Sequence, residues 1–358
     1  MKSLKIGILG GGQLGKMTAI AASNMGYETF IYSNEKNSPA SYVTNNFFVG
    51  DYEDEEKLKE FARNIDIATF EFENIPTKSL DVVGSFANVY PSKNILQITQ
   101  NRLLEKNFLK NIDVAVTDFS QIKTHQDLLN SLHKFSKSIL KTATLGYDGK
   151  GQFVINDEAH ALDIWDQILI SGLNNNGLIL EKFCKFSKEI SVIVARSKNH
   201  EILCYEPLEN IHKNGILDKS IYPAKISDIC KKKSQEISIK IAKELDLVGV
   251  MAVEFFVTEN ENLLVNELAP RPHNSGHFSI DCSYTSQFEQ LVRAITGNPL
   301  GNPKYHCEGF MQNIIGTDIN KLGEIITDYA NTKIHLYNKS EAKEGRKMGH
   351  LNIIKNNL

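Results

Sequence analysis

Residues 4–9 form a short, nearly unbroken apolar run of the kind a buried strand makes, followed by Gly10-Gly11-Gly12-Gln13-Leu14-Gly15 and a helical pattern over 16–25 that stops at Gly26. With a second strand at 29–32, the chain opens as strand, glycine turn, helix and strand, the start of a βαβ unit. An acidic helix over 53–63 leads to an apolar strand, 65–70, which runs into Glu71-Phe72-Glu73-Asn74. Acids just past the carboxyl end of a parallel strand stand at the ligand edge of an open α/β sheet, so Glu71 and Glu73 are site candidates. Residues 88–92 close this first unit near Pro91.

A helical pattern over 95–109 carries Arg102 and Lys106 four residues apart on one face, which a solvated basic face would equally explain. A short strand, 138–141, sets Lys141 at the start of a loop that reads Gly146-Tyr147-Asp148-Gly149-Lys150-Gly151-Gln152, before a strand at 153–155. Glycines and a lysine between two strands make a hairpin flap able to lie over phosphates. Without G-K-[ST] and a following helix it is not a Walker A loop. The strand 178–183 ends in Glu181-Lys182-Phe183-Cys184, where a carboxylate can reach a ribose and the backbone an adenine, though a plain edge segment has the same pattern. Glu189 leads the strand 186–196, His212 falls in a polar stretch expected to be loop, and a lysine-faced amphipathic helix covers 231–245.

The most telling pattern is at 249–267. Residues 249–258 are apolar except for Glu254 and the polar end residue Thr258; a polar tetrapeptide follows, and 263–267 is apolar again until Asn266 and Glu267. This predicts a β-hairpin. With the turn centred between Asn260 and Glu261, Glu254 lies opposite Glu267, and two like charges so placed repel. A hard divalent cation held by carboxylate and amide oxygens, with Asn266 adding a third, would account for the pair. A bulge that shifts the register, or a Glu turned to solvent, is the alternative. The two prolines of Ala269-Pro270-Arg271-Pro272-His273-Asn274-Ser275-Gly276-His277 end the ladder, leaving a constrained loop that presents Arg271, His273, Asn274 and Ser275 beside the acids. A helix at 287–296 ends at Gly297-Asn298-Pro299, and the tail has short strands and a basic turn, Gly345-Arg346-Lys347-Met348-Gly349-His350, able to clamp a phosphate.

At 358 residues the chain allows two or three domains, and a net charge of −3 points to no nucleic-acid surface. Five cysteines without C-x-x-C spacing predict free thiols in a reducing cytosol, neither a disulfide framework nor a zinc site. Without an apolar run of about 18 residues or a signal peptide, a soluble cytoplasmic protein with no membrane partner is expected. The glycine turn alone suggests a dinucleotide. However, Ser33-Asn34 stands where the ribose-binding acid belongs, with Glu35 late, so NAD is not expected.

Taken together, the glycine turn with Gln13, Glu71-Phe72-Glu73-Asn74, the flap 146–152, 181–184, 266–277 and 345–350 resemble the N5-carboxyaminoimidazole ribonucleotide synthetases of the ATP-grasp superfamily, over the whole chain and in order. The resemblance implies an α/β fold with three parts: an N-terminal Rossmann-like domain (1–95), a two-lobed ATP-grasp domain (96–296) and a small β-rich C-terminal domain (297–358). It implies ATP-dependent carboxylation of 5-aminoimidazole ribonucleotide with bicarbonate through carboxyphosphate, in a homodimer that uses Mg2+ and no biotin. Glu254 and Glu267 then look like the magnesium ligands. Arg102, Lys141 and the flap residues Gly146, Tyr147, Asp148, Gly149, Lys150, Gly151 and Gln152 look like phosphate and nucleotide contacts. Glu181, Lys182, Phe183, Cys184, Glu189 and His212 look like base and ribose contacts, and Asn266 joins them. Arg271, a planar fork for a planar anion, takes bicarbonate and carboxyphosphate and with Lys150 is the expected catalytic pair. The ribonucleotide is expected among Gln13, Glu73, Tyr147, Lys150, Arg271, His273, Asn274 and Ser275, with its phosphate on Lys339, Arg346 and Lys347. One departure is Thr142-Ala143-Thr144-Leu145, where relatives are expected to have arginine. Formate-dependent glycinamide ribonucleotide transformylase, biotin carboxylase and a non-catalytic ATP sensor are the rival readings.

Overall fold

Five parallel strands open the chain in the spatial order Asn46–Val49, Glu28–Ser33, Lys5–Leu9, Ile67–Phe70, Asn88–Val89. The computed structural model describes residues 4–135, 137–146, 151–326, 328 and 330–357. The connections turn one way after Lys5–Leu9 and the other way into Ile67–Phe70, so the loops after these two strands meet at the switch point where open α/β sheets bind ligands. Helix Gln13–Asn24 follows the first loop and packs on helix Gln287–Thr296. An apolar cluster of Ile6, Ile8, Ala19 and Ile31 with Leu291, Val292 and Ile295 joins the first sheet to the rest of the chain.

The predicted helix over 95–109 is two helices, Lys93–Thr99 and Arg102–Asn111. The break has a local cause. Asn101 caps the second helix, its side chain accepting from Leu103 and Leu104 N–H, while Arg102 N–H donates to Ala143 O instead of continuing the first. The solvated basic face read there is also corrected, because Lys106 is 1% exposed.

A four-stranded antiparallel sheet, in the order Phe119–Ile122, Leu178–Lys182, Ser138–Thr142, Gln152–Ile155, is backed by helices His125–Phe135 and Glu158–Ser171. The larger sheet runs Leu263–Ala269, Gly249–Val257, Lys188–Arg196, Leu208–Lys213, Ile216–Tyr222, Cys307–Ile315, Lys347–Asn357, Thr332–Leu336, with Ile202–Cys204 pairing Lys188–Arg196. The C-terminal strands therefore extend the sheet of the central domain, and they include one of 11 residues where short strands were expected. His212 lies on strand Leu208–Lys213, not in a loop; a register shift between Ile211 and His212 breaks the alternation that would have marked the strand.

Cys282 and Cys307 form a disulfide, which corrects the expectation of free thiols throughout. A β-bridge between Ser283 and Tyr305, with His306 N–H donating to Cys282 O, folds the chain back so that the two Cα atoms lie 5.3 Å apart. A separation of 25 residues leaves no spacing signal for this. No helix among the described residues is long and apolar enough to cross a membrane.

Candidate active site

Near its turn the hairpin pairs Val257 with Leu263 and Phe255 with Val265, so it is centred on Asn260, half a residue from the predicted centre. Continued unchanged, that register would set Glu254 against Asn266. Instead the register shifts next to Glu254, Asn266 is the extra residue, and Glu254 faces Glu267. A bulge, read from sequence as the rival of the acid pair, is what creates it.

Glu254 is buried, and burial, then the charges of Glu267, Glu189 and Glu73, push its pKa well above the usual carboxylate range. No group of three or more His, Cys, Asp or Glu side chains that could hold a metal occurs among the described residues. Two opposed carboxylates and an amide therefore make a partial shell of hard oxygens. It fits a magnesium ion whose remaining ligands come from phosphates or water.

The loop beyond the hairpin leads into a short 3-10 helix, Asn274–Phe278. His273 lies with Nε2 3.4 Å from Glu254 Oε1. Its Nδ1 accepts from Ser275 N–H and contacts Ser275 Oγ at 2.8 Å, and Ser275 in turn accepts from Ser191 Oγ at 2.8 Å. Burial, then the nearby Arg271, push the His273 pKa well down. Both side-chain polar atoms of Asn274 are buried without a hydrogen-bond partner among the described residues.

These groups line a cavity of about 300 Å³. Its cationic wall is a buried network. Glu181 Oε2 takes Lys141 Nζ at 3.0 Å, and Oε1 lies 3.6 Å from Lys106 Nζ. Burial works to raise the Glu181 pKa, but Lys141, Lys106 and Arg102 hold it down at about 2. Arg102 lines the same cavity, and its guanidinium donates to Thr142 O and Gly146 O, each at 3.1 Å. It thereby braces the segment that lacks the expected arginines. The flap residues Tyr147, Asp148, Gly149 and Lys150 lie outside the described residues. Gly151 accepts from Thr142 N–H, and Gln152 lines the cavity.

Across the cavity Glu189 Oε2 meets His212 Nδ1 at 2.5 Å, as a ribose-facing pair could. Lys182, Phe183 and Cys184 do not line it. The N–H groups of Lys182 and Phe183 donate to Asp118 O and Lys137 O, and the Lys182 ammonium sits 3.7 Å from Asp118. The apolar lining missed from sequence is Phe186 stacked on Phe256, with ring centroids 4.6 Å apart, together with Ile139 and Leu217. The alternation along Gly249–Val257 could have found Phe256, which shares the Glu254 face.

The ribonucleotide candidates divide between places. Gln13, Lys339 and Arg346 line a second cavity of about 610 Å³ at the switch point of the parallel sheet. Burial and then Arg346 lower the Lys339 pKa to about 8. Ser38 presents a buried hydroxyl without a partner among the described residues. Part of the glycine turn is engaged within the chain, while Gly11, Gly12 and Gln13 line the second cavity. Gly12 and Gly15 N–H donate to Glu71, the latter at 2.9 Å, and a side chain at Gly10 or Gly12 would collide with that carboxylate. Lys347 lines the first cavity with His273 and Asn274. Arg271 makes an ion pair with Glu73, and Glu73 borders a small cleft that shares Arg102 and Glu267 with the first cavity and Asn74 with the second.

A parallel-sheet domain, a four-stranded lobe and a large antiparallel sheet enclosing an acid pair and buried lysines define an ATP-grasp ligase. Family models agree: the ribonucleotide synthetase preATP-grasp domain matches residues 1–100, the ATP-grasp domain 107–288, and the phosphoribosylaminoimidazole carboxylase C-terminal domain 309–358. The chain belongs to the N5-carboxyaminoimidazole ribonucleotide synthase family. It is 42% identical to the member from Bacillus subtilis (strain 168) over 98% of this chain and 91% of that one, and 41% identical to the member from Brucella melitensis over 98% and 96%. A solved N5-carboxyaminoimidazole ribonucleotide synthetase in complex with ADP superimposes with a TM-score of 0.93 at 40% identity, covering 99% of this chain and 94% of that one. The Aspergillus clavatus synthase with ADP and 5-aminoimidazole ribonucleotide gives 0.91 at 29% identity, covering 99% and 94%.

Proposed function

We propose that this ATP-dependent ligase carboxylates 5-aminoimidazole ribonucleotide, a step of purine biosynthesis. Bicarbonate attacks the γ-phosphate of ATP to give carboxyphosphate and ADP; the ribonucleotide amine then captures the carboxyl to give N5-carboxyaminoimidazole ribonucleotide, releasing phosphate. The observation that carries the reading is a small cleft bordered by Glu73, the partner of Arg271, which shares Arg102 and Glu267 with the cavity walled by Glu254, Glu267 and Lys141 and shares Asn74 with the second cavity, lined by Lys339 and Arg346. Two sites joined by one cleft suit a reaction that makes an anion on one side and consumes it on the other.

Phosphoryl transfer between anions needs positioning and charge neutralisation more than acid–base groups. Glu254, Glu267 and Asn266 would hold magnesium, which when bound offsets phosphate charge. Lys141 and Arg102 face the phosphates, and Glu181 keeps Lys141 in place. Phe186, Phe256, Ile139 and Leu217 exclude water around the base, with Glu189 and His212 toward the ribose. Arg271 leaves Glu73 to orient bicarbonate and carboxyphosphate. His273, Asn274 and Ser275 line that path. Lys339 and Arg346 take the ribonucleotide phosphate beside Gln13, with Lys347 at the edge of the nucleotide cavity. Lys150 and Tyr147 complete the proposed set of nucleotide and ribonucleotide contacts.

Domain limits at 1–95, 96–296 and 297–358, a homodimer and a cytoplasmic location belong to the same proposal. Light scattering and fractionation test the last two. ADP release from the purified chain with Mg2+ and ATP tests the activity. Stimulation by bicarbonate plus 5-aminoimidazole ribonucleotide, with a labile carboxylated product, is expected. Turnover only with glycinamide ribonucleotide and formate would replace the acceptor.

A further inference from the structure

The second cavity takes residues from opposite ends of the chain: Gln13, the first residue of helix Gln13–Asn24, and Lys339, on the segment that follows strand Thr332–Leu336. Thr332–Leu336 is an edge strand of the large sheet. Its ladder ends where Tyr337 N–H donates to Met348 O at 3.0 Å. Successive residues of an antiparallel strand turn their backbone groups to opposite edges, so Leu336 O faces the free edge. Tyr337 is buried, with its hydroxyl 2.7 Å from His350 Nδ1, and Asn338 takes a left-handed φ of 61°. Asparagine enters that region more readily than most residues. The turn sets Lys339 in the cavity, with Nζ 5.6 Å from the Tyr337 ring.

That placement is opposed. Burial, then the charges of Arg346 and Lys347, work against the Lys339 ammonium, with Glu71 and Glu35 acting in its favour. A lysine on an unsupported turn would swing out to water, away from both cations. Lys16 supplies the support. It stands three residues after Gln13, on the same face of the helix, and its Nζ donates to Leu336 O at 3.1 Å and to Asn338 Oδ1. One ammonium thus joins the last carbonyl of the strand to the side chain of the left-handed residue. Lys16 lines neither cavity, so it reaches a ligand only through what it holds.

We infer that Lys16 is a positioning residue: by binding Leu336 O and Asn338 it fixes the turn that keeps Lys339 in the second cavity, and ties that turn to the helix bearing Gln13. The inference rests on the reading of Lys339 as a contact of the ribonucleotide phosphate, and it adds a residue that does not touch the ribonucleotide.

The test is calorimetric titration of 5-aminoimidazole ribonucleotide onto the protein with ADP bound, beside KM for the ribonucleotide and for ATP. In Lys16→Met the ribonucleotide Kd and KM are expected to rise about tenfold, the scale of one charge-assisted hydrogen bond, while KM for ATP stays within about twofold. Lys16→Arg, which can still donate to both oxygens, stays within about threefold of the unmodified chain. Asn338→Ala removes one acceptor of the same tie; its expected loss approaches that of Lys16→Met, and it takes the place of that variant should the latter not fold. A double-mutant cycle reads what a merely structural role would not move: in a Lys339→Met background, Lys16→Met should add less than about twofold, because its effect runs through Lys339. Losses that multiply overturn the inference, as do a Lys16→Met variant that binds the ribonucleotide like the parent, an arginine variant as impaired as the methionine one, or a KM for ATP that rises in step. Lys339→Met separates the two readings. If it binds the ribonucleotide as the parent does, the phosphate assignment fails and the inference with it; if it loses affinity while Lys16→Met does not, only the role of Lys16 fails.

Discussion

Glu71 and Glu254 both stand at the ligand edge of a sheet, and burial raises the pKa of each, yet their surroundings differ in kind. Glu71 is answered from within the chain, by the amides of Gly12 and Gly15 at the start of helix Gln13–Asn24. Glu254 is answered by another acid, Glu267, and by the ring of His273. A carboxylate whose lone pairs meet backbone donors serves the fold. One placed against its own charge marks where a ligand must come.

The largest effect that would break this comparison concerns the acid pair. Glu267→Gln should lower kcat for ADP release by about 10²–10³, the scale of losing one preorganised electrostatic group, with little loss in melting temperature. A variant that is as active as the parent would remove the distinction from Glu71.

Next comes the buried lysine network. Glu181→Gln at pH 7 should cost about 3 kcal/mol in urea unfolding, because it strands Lys106 and Lys141 against a neutral partner. The sign with pH follows from the folded pKa of about 2 against an ordinary 4.5. The unfolded chain binds the proton first, so this contribution is present above pH 4.5 and is lost as pH falls from there toward 2. The gap between parent and variant should close over that window. A constant gap would show that Glu181 acts by packing alone.

A smaller effect tests the answered acid. Glu71→Leu should destabilise the chain by about 2 kcal/mol, since the half-buried Gly12 and Gly15 amides lose their acceptor. Phosphate or sulfate should then raise the melting temperature of the variant and not of the parent, as an anion takes the vacated helix N-terminus. Smallest is Arg346→Ala, expected to raise KM for the ribonucleotide about tenfold through the loss of one charge-assisted hydrogen bond while KM for ATP stays level. A change in the ATP constant instead would move Arg346 out of the second cavity.

Much of this was legible in the residues. The opening strand, helix and strand, the helix at Gln287–Thr296 and the opposition of Glu254 to Glu267 follow from hydrophobic period and turn residues. The last was reached from a turn centre half a residue off, which the bulge at Asn266 made good. The burial of Lys106 was not legible, because a cation four residues from Arg102 fits a solvated face as well. Its carboxylate partner, Glu181, is 75 residues away, and no local pattern joins them. Lys182, Phe183 and Cys184 were grouped with Glu181 by adjacency. In the fold, Asp118 O and Lys137 O accept from the Lys182 and Phe183 N–H groups.

Sequence by itself determined many of the elements, the family resemblance and the residue types of the site, because these depend on local period and on ordered motifs along one chain. Tertiary structure alone decided which charges are answered: Glu71 by amides, Glu73 by Arg271, Lys106 by Glu181, Cys282 by Cys307. Each of those pairings joins residues 25 to 198 positions apart. Their energies depend on distance and burial in the folded chain, quantities that the order of residues does not contain.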